Sequence, residues 1–470
     1  MSIIQLQNTV DGLAMLTPES VPFHTWVLHR REAVETKPFY VLVHGPAGSG
    51  KSCLLKAINQ SVSAKKGHDF CIATAPTEIA ANLIDGYTIH STFILEWGRP
   101  HPSRFMKPLE DHERQKLSSI RHAKLLLIDN INYLDCVDFA RIDHRLQDLT
   151  GIQKPFGGLS VIVFGDFHQI PPPSGCWVFG VLPDEFLPKV RENTPASPEK
   201  LWSLFKIFEL SSRNMRVPDD DNDIYEVMRE GKVENAWWNY LNNMCAICPF
   251  DRNLTDDRVV SEYVNACDDR PDYDVVLLTT TNDMADELNQ TMVCQYGNHQ
   301  NYPAKQSDGA NYPKRSKTSR CDLTVSVGSP VIVIDNVKEL DIRSGAIGCV
   351  LNYSDALITL SFPGRGSPKL VSFSRIEYEN ENGYYEQFPL QLAYALTVQK
   401  AQGATFDQVF FVRNNLSNAY GQLYTAMSRC RELEDSKISP IRFLHYNDTL
   451  VGKKTVVENE LERMRVYCRA

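Results

Sequence analysis

The segment Gly45-Pro-Ala-Gly-Ser-Gly-Lys-Ser52 has the residue types and the spacing of a loop that binds nucleotide phosphates. Its glycines allow backbone N–H groups to turn inward on the phosphates at the start of a helix, and Lys51 is expected to contact the outer phosphates. The pattern predicts a nucleoside triphosphate site that uses every residue of the loop: Gly45, Pro46, Ala47, Gly48, Ser49, Gly50, Lys51 and Ser52.

A carboxylate suited to magnesium follows the apolar run Lys124-Leu-Leu-Leu-Ile-Asp129. A buried parallel strand delivers such a side chain to the edge of a nucleotide site. Carboxylate and hydroxyl oxygens suit Mg²⁺, so Ser52 and Asp129 are the expected metal ligands. The alternative, in which Asp129 only caps the next helix, is less favoured because the phosphate-binding loop lies upstream.

The residue after Asp129 is Asn130, where an ATP hydrolase is expected to carry a second carboxylate that orients or deprotonates water. An amide can orient water by hydrogen bonding, but it cannot take up the proton. Asp135 or Asp166 could supply the missing carboxylate. Further along, Gln169 in Phe164-Gly-Asp-Phe-His-Gln-Ile-Pro-Pro172 is placed to sense the terminal phosphate.

Two blocks of alternating strand and helix patterns are expected to position these residues. Short apolar runs separated by helix-like stretches are typical of a parallel sheet covered on both faces. The chain therefore reads as α/β, with one domain over residues 1–205 and a second over 206–470. The predicted strands are Phe39–His44, Asp69–Thr74, Lys124–Asp129, Leu159–Gly165, Tyr273–Thr280 and Asp407–Val412.

A stretch of different character, about residues 297–388, interrupts the second block. It opens with the polar segment Gly297–Gly309, which predicts a loop or a disordered link. Alternating segments with turn residues follow at Gly328–Ile334, Ala346–Leu351 and Ala356–Phe362. They predict a small antiparallel barrel inserted into the second domain.

Composition excludes some classes of protein. The chain has 470 residues, 43% of them hydrophobic, and a net charge of −9, which argues against extensive electrostatic wrapping of nucleic acid. Neither an apolar run long enough to span a membrane nor a secretory signal is visible, so an intracellular protein without a membrane partner is expected. The 12 cysteines suggest reduced thiols; for the Cys245/Cys248 pair, a packed helix face is favoured over a zinc site.

Several ordered motifs resemble the Pif family of superfamily 1 helicases, group B, which are RecD-like motors. The resemblance runs from about residue 41 to residue 431. Beyond the phosphate-binding loop, it rests on the segments Thr74–Ala81, Gly86–Ser91, Ile142–Leu146, Pro155–Gly158, Gly165–Gln169, Phe388–Thr397 and Tyr424–Arg429.

The resemblance implies two RecA-like parallel-sheet P-loop domains, a small inserted pin domain at about residues 92–118 and an SH3-like β-barrel at about 297–388. It implies a monomeric, ATP- and Mg²⁺-dependent DNA helicase that translocates 5′→3′ on single-stranded DNA and unwinds duplex junctions. The expected location is intracellular, in the nucleus or at the site of DNA replication if the source is eukaryotic or viral.

The resemblance also implies roles for individual residues. Arg216 and Arg429 would be arginine fingers for the γ-phosphate, and Gln402 and Gly403 would contact the nucleotide. Trp97 or Phe105 would stack on the first separated base pair, with aromatic packing in a core as the alternative. The residues implied to line the single-strand channel are Pro76, Thr77, Thr88, His90, Thr397 and Lys400.

Three positions depart from the family pattern. Asn130 stands where the family has Glu, Gln399 where a His is usual, and Glu78 where a Gly is usual. Asn130 leaves open a second function, a nucleotide-gated single-stranded-DNA-binding protein with weak or no ATP turnover. A motor on RNA is a third and weaker alternative.

Overall fold

A computed structural model describes most of the chain. The described residues are 20–32, 37–96, 105–183, 197–210, 225–230, 256–269, 274–295, 298–306, 322–337, 340, 342–363, 368–380, 383–412, 421–430, 441–443 and 454–469.

The chain divides into two compact units. The first unit comprises residues 1–233, 419–428 and 448–470, and the second comprises 234–418 and 429–447. The predicted boundary at 205/206 therefore falls too early, because the strand Lys206–Glu209 pairs with the strand Tyr40–His44 of the first unit. Two segments of the C-terminal part of the chain also return to the first unit, which no local sequence pattern indicates.

The first unit is built on a six-stranded sheet with the order β3-β2-β4-β5-β1-β6, in which every pair is parallel. Strands β4 and β5 are buried along their whole length, as expected for apolar runs covered on both faces. The four predicted strands of this block are found, each within two residues of its predicted ends. The strands are β1 (Tyr40–His44), β2 (Cys71–Ala75), β3 (Tyr87–Thr88), β4 (Leu125–Ile128), β5 (Ser160–Gly165) and β6 (Lys206–Glu209).

Helices cover both faces of this sheet. One face carries a core around Leu54, Ile58 and Phe164, and the other a core around Phe139, Phe156 and Trp202. The helices of the first unit are α1 (Ser20–Glu32), α2 (Lys51–Lys66), α3 (Glu78–Leu83), α4 (Ile89–Phe93), α5 (Asp111–Lys116), α6 (Cys136–Thr150), α7 (Pro198–Trp202), α10 (Gln422–Met427) and α11 (Lys454–Arg469).

Helix α11 completes the second of these cores. Val457, Leu461 and Met464 are buried in it. The indole N–H of Trp202 donates a 2.8 Å hydrogen bond to Glu460, and Arg465 pairs with Glu209 of β6 at 2.7 Å. Helix α11 is therefore a structural part of the first unit.

The second unit contains a parallel sheet with the order β18-β7-β19-β20. The predicted strands 273–280 and 407–412 correspond to β7 and β19, and both are fully buried. The elements are α8 (Asp256–Asp269), β7 (Val275–Thr279), α9 (Asn282–Gln295), β18 (Ala395–Thr397), β19 (Gln408–Val412) and β20 (Ile441–Phe443).

Antiparallel strands fill the interruption between β7 and β18. A five-stranded sheet has the order β14-β13-β12-β11-β17, and two smaller sheets have the orders β10-β8 and β15-β16-β9. The strands are β8 (His299–Tyr302), β9 (Lys305–Gln306), β10 (Leu323–Ser326), β11 (Pro330–Val333), β12 (Ile347–Tyr353), β13 (Ile358–Phe362), β14 (Lys369–Phe373), β15 (Ile376–Asn380), β16 (Gly383–Gln387) and β17 (Leu390–Leu392).

The prediction of a loop or disordered link over residues 297–309 is wrong for β8 and β9. Three of the four residues of β8 are exposed and polar, so the segment lacks the apolar alternation that marks a strand. Its backbone is held by antiparallel pairing with β10, and Tyr302 packs against Phe388.

Among the described residues, no helix is both long enough and apolar enough to cross a bilayer.

Candidate nucleotide site and strand-binding residues

The phosphate-binding loop connects β1 to α2 in the first unit. Gly48 and Gly50 have φ values of 79° and 85°, in the left-handed region that glycine adopts at little cost. A Cβ on Gly45 would lie 2.9 Å from the carbonyl oxygen of Leu210, so the chain passes too close there for a side chain. The glycines are thus needed for the shape of the loop as well as for phosphate approach.

Lys51 is the first residue of α2 and lies against this loop. Its Nζ donates to the carbonyl oxygens of Gly45 at 2.8 Å and Pro46 at 2.7 Å. The ammonium group is therefore held above the glycine-rich turn, where a phosphate-binding lysine is required.

Ser52 and Asp129 are brought together from α2 and the end of β4. The Ser52 hydroxyl donates a 2.7 Å hydrogen bond to Oδ2 of Asp129, whose side chain is buried. Oδ1 of Asp129 accepts from the backbone N–H of Asn130 at 3.0 Å. A hydroxyl and a carboxylate in contact next to a phosphate-binding loop are the donor set that a nucleotide-bound Mg²⁺ uses, so these residues fit that metal.

Asn130 has a left-handed backbone, with φ 50° and ψ 46°, and caps the short 3₁₀ turn Ile131–Tyr133. Asparagine tolerates this conformation better than most residues. Within the described part of the chain, its side-chain Nδ2 is buried without a hydrogen-bond partner. The amide beside Asp129 therefore has donor capacity that no described residue uses.

Both alternative carboxylates make structural hydrogen bonds. Asp135 caps α6 by accepting from the N–H of Asp138 at 2.8 Å. Asp166 is fully buried and accepts hydrogen bonds from the Arg229 guanidinium and from His168. These bonds favour structural roles for both carboxylates, and a role for either as the base stays a prediction.

A buried polar cluster surrounds Asp166 directly after β5. Nε of Arg229 lies 3.1 Å from Oδ2, Nδ1 of His168 lies 3.1 Å from Oδ1, and Nε2 of His44 lies 3.6 Å from Oδ1. Burial acts to raise the pKa of the Asp166 carboxyl, but Arg229 and the two histidines bring that pKa well below its usual value. Burial brings the pKa of His44 well below its usual value, so this ring is neutral.

The three side chains His44, Asp166 and His168 are close enough together to hold a metal ion. The Arg229 guanidinium, however, already supplies the positive charge that Asp166 requires. A divalent cation would have to sit beside that guanidinium, which is electrostatically unfavourable. The cluster is therefore best described as an ion pair between Asp166 and Arg229 with the imidazoles of His44 and His168 beside it.

Helix α10 docks on this cluster within the first unit. The Tyr424 hydroxyl donates to Oδ2 of Asp166 and accepts from the backbone N–H of Ala47, both at 2.9 Å. The N–H of Ile170 donates to the Thr425 hydroxyl at 3.1 Å. Gln169, which is buried, lies between these contacts, and its N–H donates to the Asp166 carbonyl at 3.0 Å.

The predicted strand-gripping residues of the first unit lie at the carboxyl ends of β2 and β3. Ala75 and Thr88 are paired in register, so Pro76, Thr77 and Thr88 meet at one edge of the sheet. Thr77 and Thr88 each accept a hydrogen bond from the N–H three residues on, at 3.3 and 3.2 Å. Such a hydroxyl keeps its own hydrogen, which it can donate to a phosphate.

His90 follows Thr88 on α4. Its Nε2 lies 3.6 Å from Oδ2 of Asp138. Burial and the positive charge of Arg141 lower the pKa of His90 to about 4, although Asp135 acts to raise it. The ring is thus neutral near pH 7, and it would contact DNA as a hydrogen-bonding group without positive charge.

Phe105 is one of the two aromatic residues predicted to stack on DNA. Phe105 is only 6% exposed and packs in a small core with Cys136, Val137 and Leu182. This burial favours the alternative of aromatic packing for Phe105. Trp97 lies outside the described residues.

Two buried arginines of α6 fix the chain on either side of residues 97–104. Arg145 donates to the carbonyl oxygens of Phe93 at 2.9 Å, Ile94 at 3.2 Å and Lys107 at 3.0 Å. Arg141 donates to the carbonyl oxygen of Glu96 at 3.3 Å. Residues on both sides of 97–104, within the predicted pin insertion, therefore share the Arg145 guanidinium as their anchor.

The second unit contains the remaining predicted residues. The Thr397 hydroxyl accepts from the N–H of Lys400 at 3.3 Å, which repeats the geometry of Thr77 and Thr88. Lys400 Nζ donates to Gln391, and Arg429 donates to the carbonyl oxygen of Ala404 at 3.4 Å. Arg216 lies outside the described residues.

Gln402 and Gly403 are adjacent to this group. Gln402 is completely buried, and within the described chain neither polar atom of its side chain has a hydrogen-bond partner. Oε1 of Gln399 is in the same situation. Gly403 has a φ of 88°, so its position favours glycine.

Sequence reasoning missed the cluster of His44, His168, Arg229 and Tyr424. Tyr424 lies in the segment Tyr424–Arg429, whose resemblance to the family could have indicated a functional role. The sequence around Arg229 contains no comparable motif. Asp166 was considered only as a base, but the structure assigns its carboxylate to an ion pair.

Two family models match the chain. The model for the PIF1-like helicase matches residues 27–232, and that for the UvrD-like helicase C-terminal domain matches residues 392–433.

Three proteins with sequences similar to this chain are each described as an ATP-dependent DNA helicase. The ATP-dependent DNA helicase PIF6 of Trypanosoma brucei brucei is 26% identical over 84% of this chain and 50% of that protein. The ATP-dependent DNA helicase PIF1 of Danio rerio is 27% identical over 85% of this chain and 58% of that protein. The ATP-dependent DNA helicase Pif1 of Bdellovibrio bacteriovorus is 27% identical over 83% and 82%. The chain thus spans only about half the length of the first two.

Solved structures show the same fold. Bacteroides Pif1 bound to ssDNA superposes with a TM-score of 0.71 at 24% identity, covering 95% of this chain and 96% of that one. Pif1 helicase from Candida albicans also gives 0.71, at 20% identity, over 95% and 99%. The chain has the RecA-like helicase fold.

Proposed function

We propose that the chain, whose residues 27–232 match the PIF1-like helicase model, is a PIF1-like helicase and acts as an ATP-dependent DNA helicase. It translocates 5′→3′ along single-stranded DNA and unwinds duplex at junctions. As a member of this family it acts where DNA is replicated, repaired or recombined, in the nucleus if the host cell has one, and works as a monomer.

The contact between Ser52 and Asp129 carries the nucleotide half of this proposal. The hydroxyl–carboxylate pair sits at the start of α2, directly after a loop whose glycines have the required left-handed backbone. When bound, Mg²⁺ would neutralise phosphate charge there. Lys51 and Gln169 of the first unit, with Arg216 and Arg429, are the proposed contacts to the β- and γ-phosphates, and Gln402 and Gly403 are further proposed nucleotide contacts.

The DNA half of the proposal is supported by three threonines with one geometry. Thr77, Thr88 and Thr397 each use their hydroxyl oxygen to cap a local turn and keep the hydroxyl hydrogen for a phosphate. Pro76, His90 and Lys400 lie within three residues of them. Contacts of this kind bind the phosphates of the DNA backbone and do not read the base sequence, as a translocating motor requires.

The inserted segments have proposed roles as well. We propose that the antiparallel strands between β7 and β18 make an SH3-like barrel and that the segment anchored by Arg145 carries the pin that separates strands. The antiparallel pairing and the Arg145 contacts support this. Of the two aromatic residues considered for the pin, Trp97 is the remaining candidate.

A second candidate function rests on Asn130. With Asp135 and Asp166 committed to other bonds, a nucleotide-gated single-stranded-DNA-binding protein with weak turnover has support. In this function Asn130 would only orient water, because an amide cannot accept the proton.

Phosphate release measured with and without single-stranded DNA distinguishes the two functions. The helicase requires DNA-stimulated release and separation of duplexes with a 5′ tail. DNA binding that depends on ATP, without stimulated release, would favour the binding protein. Absence of ATP binding would exclude both.

A further inference from the structure

We propose that Tyr424 is a positioning residue for ATP: its hydroxyl holds the phosphate-binding loop and the loop bearing Gln169 in one geometry. This inference rests on the proposed function and names a group within the same site. It assigns no contact between Tyr424 and the nucleotide.

The first observation concerns one peptide group, the Pro46–Ala47 unit of the phosphate-binding loop. The Pro46 carbonyl oxygen accepts from Lys51 Nζ at 2.7 Å, and the Ala47 N–H donates to the Tyr424 hydroxyl at 2.9 Å. A peptide group is planar and rotates as a unit, so holding both ends fixes its orientation. Lys51 must release the carbonyl oxygen to reach a phosphate, which leaves the Ser49 N–H at 3.2 Å on the carbonyl side and the Tyr424 hydroxyl on the N–H side to hold the peptide.

The second observation is the direction of the hydrogen bonds through Tyr424. Its oxygen accepts from Ala47, so its hydrogen is free to be donated to Oδ2 of Asp166 at 2.9 Å. Asp166 in turn is oriented by Arg229 at 3.1 Å and is separated from Gln169 by only two residues. One buried hydroxyl therefore links the two loops, and phenylalanine could keep the ring but would lose both bonds.

The third observation is how closely α10 is seated. A Cβ at Gly421 would lie 2.5 Å from the carbonyl carbon of Gln169, and Tyr424 itself is 3% exposed. The Tyr424 hydroxyl therefore has no room to move away from Ala47 and Asp166 while the helix stays docked. Burial and the Asp166 charge both raise the pKa of the Tyr424 phenol, so the hydroxyl keeps its proton.

The test compares Tyr424→Phe with Tyr225→Phe in the full chain. Tyr225 is the matched control because its buried hydroxyl donates to the Met427 carbonyl oxygen of the same helix at 3.2 Å. The probe is a fluorescent ATP analogue with Mg²⁺ and without DNA. Tyr424→Phe is expected to weaken binding roughly tenfold, equivalent to about 1.4 kcal/mol. Tyr225→Phe is expected to bind as the parent does.

Amide hydrogen exchange of the peptide containing Ala47 gives a second measurement that does not depend on a variant folding. Protection of this amide in the parent chain, both with and without ATP, supports the proposal. Fast exchange without ATP would overturn it.

Binding by Tyr424→Phe within twofold of the parent would also overturn the inference, as would equal weakening by Tyr225→Phe, since docking of α10 would then be the cause. A parent chain that binds no ATP would overturn the proposed function and this inference together. Each failure can therefore be told from the other.

Discussion

The hydroxyl of Ser52 donates a 2.7 Å hydrogen bond to the carboxylate of Asp129, across the 77 residues that separate them in the chain. Removing either oxygen removes one of the two proposed protein ligands of Mg²⁺. We expect Asp129→Ala to reduce phosphate release at least a hundredfold, while the melting temperature stays within a few degrees of the parent. Melting and steady-state hydrolysis, measured over a range of Mg²⁺ concentrations, check this. Undiminished hydrolysis would exclude Asp129 from the site.

Asn130→Glu should raise ATP turnover in the presence of single-stranded DNA. A positioned carboxylate base contributes about 10²- to 10⁴-fold in rate, and neither Asp135 nor Asp166 is free to supply it. The left-handed backbone at residue 130 will offset part of this gain. Single-turnover hydrolysis is the measurement, with Asn130→Gln as the control that keeps the amide. If both variants hydrolyse ATP equally, position 130 does not limit the reaction.

Asp143→Asn should change how stability depends on pH. Burial raises the pKa of Asp143 from 3.8 to about 6, against the hydrogen bonds from Phe156 and Gln147. Since the folded pKa is the higher one, the folded chain holds more protons between these values. The contribution of Asp143 to the free energy of unfolding therefore rises as pH falls from about 6 to about 4. The rise is at most about 3 kcal/mol, because one pKa unit corresponds to about 1.4 kcal/mol.

The substitution removes that titration, so the difference in unfolding free energy between pH 7 and pH 5 should shrink. Oε1 of Gln147 has no hydrogen-bond partner in the described chain and can rotate to accept from the new amide. Urea unfolding at several pH values tests this. An unchanged pH profile would mean that Asp143 titrates normally.

Arg145→Met should destabilise the first unit. The 2% exposed guanidinium donates to the carbonyl oxygens of Phe93, Ile94 and Lys107, and the substitution leaves all three without this donor. Breaking such a buried charged contact typically costs about 3 to 5 kcal/mol. Arg114→Met is the control, because within the described residues the Arg114 side chain pairs with Asp148 alone at the surface, and such pairs contribute about 0 to 1 kcal/mol. Equal effects on denaturant unfolding would contradict the anchoring role.

Phe105→Ala should act on stability and not on strand separation. The ring is packed against Cys136 and Val137, and deleting a buried phenylalanine typically costs about 3 to 5 kcal/mol. The milder Phe105→Leu should fold and unwind a forked duplex at the parent's rate per folded molecule. Loss of unwinding by Phe105→Leu with ATP hydrolysis intact would restore this residue to the pin.

The strands that carry the nucleotide site could be predicted because burial on both faces makes them continuous apolar runs, as in Leu125–Ile128. The phosphate-binding loop could be predicted as well, because its glycines are required by the local backbone geometry. Contacts between distant segments leave no such local pattern. Three features depend on such contacts: the hydrogen bond between Tyr424 and Ala47, the pairing of the strand His299–Tyr302, and the packing of α11 in the core of the first unit.

Helix α11 also bears on how the protein is made. Its residues Val457, Leu461 and Met464 fill a core whose other side chains come from the first half of the sequence. A ribosome must therefore extend the chain as far as Met464 before that core can close. Until then the apolar groups around Phe139 and Trp202 lack their final cover, and a nascent chain in this state is a natural client for chaperones.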